Sequence, residues 1–409
     1  MFFPIFDFVK HLVIIGQVIP EPASTAAGTR MLQLMEIFSA NDYKITFLTA
    51  AQNEEHSEKI HFQKININDA GFDHLIKELS ADVVMFDRFV TEEQFGWRVA
   101  ENCPNAVRIL DTEDLHFLRE ARHQAFKQNR NLMDGDLLND IFKRELASVL
   151  RCDLSLIISE KEYDLLTNQF GINENILFYI PFLSEEIDDK QPLFDDRKHF
   201  VSIGNFLHGP NWQTVLKLKK IWPKIKEKLP ETELHIYGAY ASEKVFQLHN
   251  EKERFIIKGR AQSSGEIMRN YRVLLAPIPF GAGLKGKLWE SMKYGIPNVT
   301  STIGAEAMYK NLEWNGFISD SDDNFATLAV ELYQNQETWE NAQQNGFKIL
   351  KEVFNKEDFE KPLFEKIQNV SEHLTEHRNR NFLGQILQHH QLSSTKYLSK
   401  WIEEKNKKK

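Results

Sequence analysis

The chain has 409 residues, an apolar share of 42% and a formal net charge of −9. That length exceeds one typical core, so two domains are expected, and the acidic balance argues against a nucleic-acid binder. Two cysteines, Cys103 and Cys152, stand far apart without a C-x-x-C partner, which excludes a disulfide scaffold or a cysteine-rich zinc site and fits a reducing, cytoplasmic compartment.

The opening "MFFPIFDFVK" is apolar but has neither a basic n-region nor a small-residue cleavage site, so it reads as a lead-in to the first strand. "HLVIIGQ" is that strand. A loop "EPASTAAGTR" leads into the helical pattern "AAGTRMLQLMEIFSA". The chain then alternates: strand "YKITFLTA", helix "FDHLIKELS", strand "ADVVMFD", helix "TEEQFGWRVAENC", strand "AVRILD", a helical stretch from about 115 to 151, and strands "DLSLIIS" and "ILFYIPF". The charged, Pro-containing "SEEIDDKQPLFDDRK" breaks this pattern and marks a linker at 184–198 between a first domain, 1–183, and a second, 199–370. Alternation restarts with the strands "HFVSIGN", "TELHIYG", "RFIIKGR", "RVLLAPI", "PNVTST" and "GFISDS". Residues 371–409 form a helical tail whose basic end, "KNKKK", reads as solvated. No stretch approaches the roughly 20 apolar residues of a membrane span. The prediction is therefore two tandem, doubly wound α/β domains whose strand ends face one cleft.

The segment "PFGAGLKGKLWESMKYG", from Pro279 to Gly295, matches two phosphate motifs by letter. Gly281, Gly283 and Gly286 spell G-x-G-x-x-G, yet they follow the fourth strand of their domain instead of the first. Gly281, Gly286 and Lys287 resemble a P-loop, but Leu288 stands where that loop needs a hydroxyl. A glycine loop entering a helix, with Lys285 and Lys287 beside it, suits an anion; a plain turn with solvated lysines is the alternative. Glu290 lies one turn past Lys287, placed to accept hydrogen bonds from a ribose diol or to form a surface ion pair.

"PFGAGLKGKLWESMKYGIPNVTSTIGAEAM" resembles the donor-site signature of GT-B-fold glycosyltransferases of the retaining family 4 type, in their bacterial branch. "FVSIGNFLHGPNW…WPKIKEKLPETELHIYG" is similar to the first βαβ unit of that family's C-terminal domain, and "ILDTEDLHFLREAR" to a segment of its N-terminal domain. The resemblance implies a GT-B fold with the acceptor on the first domain and the donor on the second. It implies transfer of a sugar from a UDP-, GDP- or dTDP-linked donor to a saccharide, lipid-linked saccharide or other hydroxyl, with retention. No metal or other cofactor is expected, nor nucleic acid, and at most peripheral membrane contact.

Carried over by position, Glu290 is the ribose-binding member of an E-x7-E pair whose first Glu is replaced by Ala282. Gly204, Asn205, His208, Asn211, Arg260 and Glu306 join the loop glycines on the donor side. Lys285 and Lys287 take the diphosphate role that an Arg and a Lys fill elsewhere in the family. His116 corresponds to the active-site histidine, with Asp111 and Asp114 flanking it; a helix-capping cluster with Asp114 as N-cap is the alternative. Gly28, Arg30, Asp87, Arg88, Asp111 and Asp114 are acceptor-side candidates. A non-catalytic nucleotide-sugar binder and a nucleotide-sugar epimerase are the rival functions; the epimerase would want acid/base carboxylates that the motif does not supply.

Overall fold

The computed structural model describes residues 10–20, 26–51, 61–185, 191–261 and 263–407. The N-terminal lead-in, the start of the "EPAST" loop, the middle of the linker and the last two lysines lie outside them.

The first sheet has seven parallel strands: β1 (Lys10–Gly16), β2 (Tyr43–Thr49), β3 (His61–Lys64), β4 (Val83–Asp87), β5 (Val107–Asp111), β6 (Leu154–Ile157) and β7 (Leu177–Tyr179). Their order is β3-β2-β1-β4-β5-β6-β7. The second sheet, also parallel, is built from β8 (Lys198–Ile203), β9 (Leu234–Tyr237), β10 (Phe255–Gly259), β11 (Tyr271–Ala276), β12 (Asn298–Thr300) and β13 (Gly316–Ile318), in the order β10-β9-β8-β11-β12-β13. Each is a doubly wound sheet, and together they form the GT-B arrangement. Strand β3 was not legible in the sequence; "HFQK" is a polar edge strand without the apolar run of its neighbours.

Alternation along the strands divides each domain's core into two layers. Val13 and Ile15 of β1 point into one apolar cluster, Leu12 and Ile14 into the other, and all four are fully buried. In the second sheet Val273 and Leu275 face one layer, Leu274 and Ala276 the other. Helices on both sides bury these strands, which is why they read as continuous apolar runs.

Two parts of the chain differ from expectation. The stretch 115–151 is two helices, His116–Lys127 and Asp140–Arg151; the turn between them buries Leu137. The helix Glu357–Glu372, assigned by sequence to the second domain, lays Leu363, Ile367 and Val370 into a first-domain core layer. The helix Phe382–Lys407 continues on the first domain.

A buried ion pair ties the first domain together beneath the strand ends. Arg30, on the helix Ala26–Ala40, donates from Nε to Asp111 Oδ1 at 2.9 Å and from Nη1 to the carbonyl of Ile180 at 2.7 Å. Both partners are essentially inaccessible, at 1% and 0% exposure. The two residues are therefore consumed structurally and do not line the cleft, which corrects their acceptor-side assignment. Removing one member of such a pair strands the other charge. Arg30→Met should lower first-domain stability by about 3–5 kcal/mol, and adding Asp111→Leu should recover most of that loss. Urea unfolding of both variants tests this; a single-variant loss under about 1 kcal/mol would refute it.

Candidate functional site

In both sheets the chain reverses direction of winding beside the first strand, between β1 and β4 and between β8 and β11. Backbone ends splay there, leaving a crevice at the carboxyl ends. The two crevices face each other across a cleft of about 470 Å³, a size suited to a small organic ligand. Gln17 and Arg88 line it from the first switch point, Gly204 and Ile278 from the second.

The helix Gly286–Lys293 starts in this cleft, and so does the helix Ala26–Ala40, through Ala26 and Ala27. A Cβ on Gly286 would stand 2.6 Å from the Cβ of Ala26, so glycine is what lets the two helix starts meet. Gly283 has φ +61°, and a Cβ there would come within 2.7 Å of Asp114 Cβ. The glycines thus serve close domain approach.

Lys285 and Lys287 are buried among these groups. Lys285 folds back, donating to the carbonyls of Gly283 at 2.7 Å and Ala282 at 3.1 Å. Lys287 donates to Asn211 Oδ1 at 2.7 Å, and Asn211 in turn donates to the carbonyl of Asn205. Burial pulls both ammonium groups down to about 8, against opposing carboxylates at Glu306 for Lys285 and Glu290 for Lys287. Glu290 is pushed up to about 7 by burial and accepts a 2.9 Å hydrogen bond from Ser264, a lining residue that sequence reasoning missed. Two cations and two helix starts meet here, and of the lining carboxylates Asp114 is already engaged by Arg119, so the group makes a desolvated anion cradle.

His116 lines the opposite wall. Its Nδ1 lies 3.2 Å from Glu145 Oε1 and 3.1 Å from the carbonyl of Asp114. Burial depresses the imidazole, but the Glu145 bond and the Asp114 charge outweigh it, and its pKa is raised. Asp114 does not cap the helix His116–Lys127. It is engaged by Arg119, while Glu145 accepts the amides of His116 and Phe117 at 3.1 and 3.0 Å. A buried carboxylate from another helix outcompetes the local one because it reaches two helix-start amides at once.

Glu162 was also missed. It is 1% exposed, and its Oε1 accepts the amide of Leu115 at 3.1 Å and that of Gly283 at 2.7 Å. It therefore bridges the histidine wall to the glycine loop of the other domain. Burial pushes it up to about 7. The loop beside Ala282, which has no carboxylate of its own, receives this one from the first domain. No local motif marks either glutamate, since the contacts span 28 residues or more.

The remaining candidates divide. Asn205, His208, Asn211, Gly204, Gly281, Arg88 and Asp114 line the cleft with the lysines, His116 and Glu290. Burial drives His208 down to about 4, so it is neutral at pH 7. Asp87 sits 5% exposed beneath Arg88, 3.6 Å from its guanidinium, and Gly28 is buried in its helix; neither lines the cleft. Glu306 is occupied by Arg122 in a two-pronged pair at 2.7 and 2.8 Å, and Arg122 also donates to the carbonyl of Gly281, so it braces the loop from outside. Arg260 is exposed past β10 and outside the lining, because that strand sits at the sheet's edge. Glu113 is a lining residue absent from the sequence reading. It holds φ +64°, and its Oε1 is buried without a hydrogen-bond partner. Arg88 beside it has φ +71°. Both positions are non-glycine residues held in the left-handed region at this wall.

Among the described residues, no group of three or more His, Cys, Asp or Glu side chains is arranged to hold a metal ion. Residues 197–335 match the family described as glycosyl transferases group 1. No curated protein sequence matches the chain. The fold is similar to a sucrose-phosphate synthase from Thermosynechococcus elongatus (14% identity, 88% of this chain and 99% of that one, TM-score 0.69). It is also similar to the pneumococcal O-GlcNAc transferase GtfA in complex with UDP and GlcNAc (12%, 89% and 99%, 0.65). A third similar structure is a TarM variant from S. aureus in complex with fondaparinux, α-GlcNAc-glycerol and UDP (15%, 0.57); 73% of this chain matches and spans 58% of that chain's length.

The depressed lysines give a pH signature. A diphosphate needs both as ammonium, so affinity is full below about 8 and falls as pH rises through it. UDP binding by calorimetry should take up protons near pH 8 and weaken by roughly a hundredfold between pH 7 and 9, tenfold for each lysine. A flat affinity over that interval would show that the lysines do not face the diphosphate.

Proposed function

We propose that the chain is a glycosyltransferase that uses a nucleoside-diphosphate sugar and transfers the sugar with retention. The observation that carries this reading is the cradle itself: Lys285, Lys287 and Glu290 on one loop and helix start, in a cleft shared by both domains. Lysines at a helix start are unfavourable for that helix, so an external anion is their natural complement. Glu290 accepts the ribose diol one turn further on. UDP is the first nucleotide to test, because two similar structures contain it.

In the proposed reaction the C1–O bond to the diphosphate breaks and a C1–O bond to the acceptor hydroxyl forms on the same face. The leaving diphosphate takes the negative charge, which Lys287, Lys285 and the helix dipoles offset, and the acceptor proton passes to a diphosphate oxygen. Neutral His208 and the short amide-lined loop Gly204–Asn205 let the donor approach without adding charge. His116, held by Glu145, positions the donor sugar from the first domain. Glu113 and Arg88, strained and facing the cleft, are the groups available to an acceptor hydroxyl.

Nucleoside-diphosphate release should be assayed with UDP-, GDP- and dTDP-sugars and candidate acceptors. Lys287→Ala should reduce turnover by ~10²–10³ while leaving thermal unfolding of the unliganded protein nearly unchanged. Undiminished turnover in that variant would remove the assigned role, and donor binding without release by the wild type, across acceptors, would favour a binding protein.

A further inference from the structure

The helix Phe382–Lys407 lies on the outside of the first domain. Its inner side is anchored: Gln388 donates to the carbonyl of Arg151 at 3.0 Å, and Arg98 donates to Ser399 at 3.0 Å and pairs with Glu403. Gly384 and Ser399 are buried against the domain. The opposite side is open and carries six large apolar side chains, with the exposed Ser394 and Glu404 among them. Phe382, Leu383, Ile386, Tyr397, Leu398 and Trp401 are each 50–68% exposed. At 3.6 residues per turn these six fall within about 160° of the helix circumference, away from the anchored positions. Large exposed side chains clustered on one helical face are not the scattered singles of an ordinary surface.

We propose that this face docks on an anionic lipid surface. Charge and composition select that occupant. Residues 382–409 hold six lysines against two glutamates in a chain that is acidic overall. Lys400 and Lys405 are exposed beside the stripe, and Lys405 sits 5.1 Å from the Trp401 ring centre. Trp and Tyr on an apolar face bordered by lysine suit the boundary between headgroups and acyl chains. A second copy of the chain is disfavoured, because two lysine-bordered stripes would bring like charges together. Among the described residues no helix is long and apolar enough to cross a membrane, so the contact is peripheral. It is also held away from the cleft: Arg88 lines the cleft, and Arg98, which grips the docking helix, lies ten residues further along the same helix, about 15 Å away. The proposal does not depend on the transfer reaction.

The 409-residue chain should be cosedimented with vesicles of phosphatidylcholine alone and of phosphatidylcholine with phosphatidylglycerol, without nucleotide. Binding to the anionic vesicles is expected, falling with added salt by roughly fivefold for each lysine engaged. The triple variant Tyr397→Ser/Leu398→Ser/Trp401→Ser should bind at least tenfold more weakly. It should keep wild-type thermal unfolding and UDP affinity, since all three side chains are exposed and distant from the cleft. Absence of binding to anionic vesicles, equal binding to neutral ones, or unchanged binding by the triple variant would overturn the proposal. So would a wild-type dimer in sedimentation equilibrium that the triple variant dissolves, since that would assign the stripe to self-association.

Discussion

One buried carboxylate joins the two domains of this protein at the cleft. Glu162 belongs to the first domain, yet its Oε1 accepts amides from both sides of the cleft, Leu115 on one and Gly283 on the other. A carboxylate taken out of water costs several kcal/mol unless its lone pairs are used, and here one oxygen is doubly used while the other has no partner. The site is therefore poised: the bridge holds the closed arrangement, and burial raises the proton affinity of the group that makes it. Gly283 can take part only because its φ is positive and its missing Cβ leaves room for Asp114.

The electrostatics of the cleft follow from that closure. Bringing the glycine loop against the first domain removes water from Lys285, Lys287 and Glu290 together, and each shifts toward its neutral form. On the proposed function, a diphosphate bound there would favour the charged state of the lysines in a low-dielectric setting, where their attraction is stronger than at a surface. Arg122 and Glu306 brace the same loop from outside, while Lys285 bonds two of its carbonyls from within. His116 is charged more readily than a free imidazole because Glu145 accepts from it, and the same Glu145 caps its helix. Glu145 thus serves both position and protonation, with the Asp114 charge adding to the latter.

Much of this was legible in the sequence because it is local. The alternation of apolar runs and helical periods placed twelve of the thirteen strands, and only the polar edge strand "HFQK" was missed. The spacing of Lys285, Lys287 and Glu290 follows from helix geometry and survives in three dimensions. Roles that depend on long-range partners were not legible. Arg30 and Asp111 looked like cleft residues because both sit at strand or helix ends, but they satisfy each other underneath. Glu145, Glu162 and Ser264 carry no motif, and their importance appears only when distant backbone amides or side chains reach them. The C-terminal helix read as a basic tail because its anchoring contacts lie with residues 68–151, far away in sequence.

The central claim is that domain closure through Glu162 creates the diphosphate site. Amide hydrogen exchange with and without UDP tests it most directly. The expected result is joint protection of Leu115–Phe117 and Gly283–Lys287 on UDP binding, with both segments loosened together in Glu162→Ala. Protection confined to one domain, or an exchange pattern in Glu162→Ala identical to wild type, would contradict it.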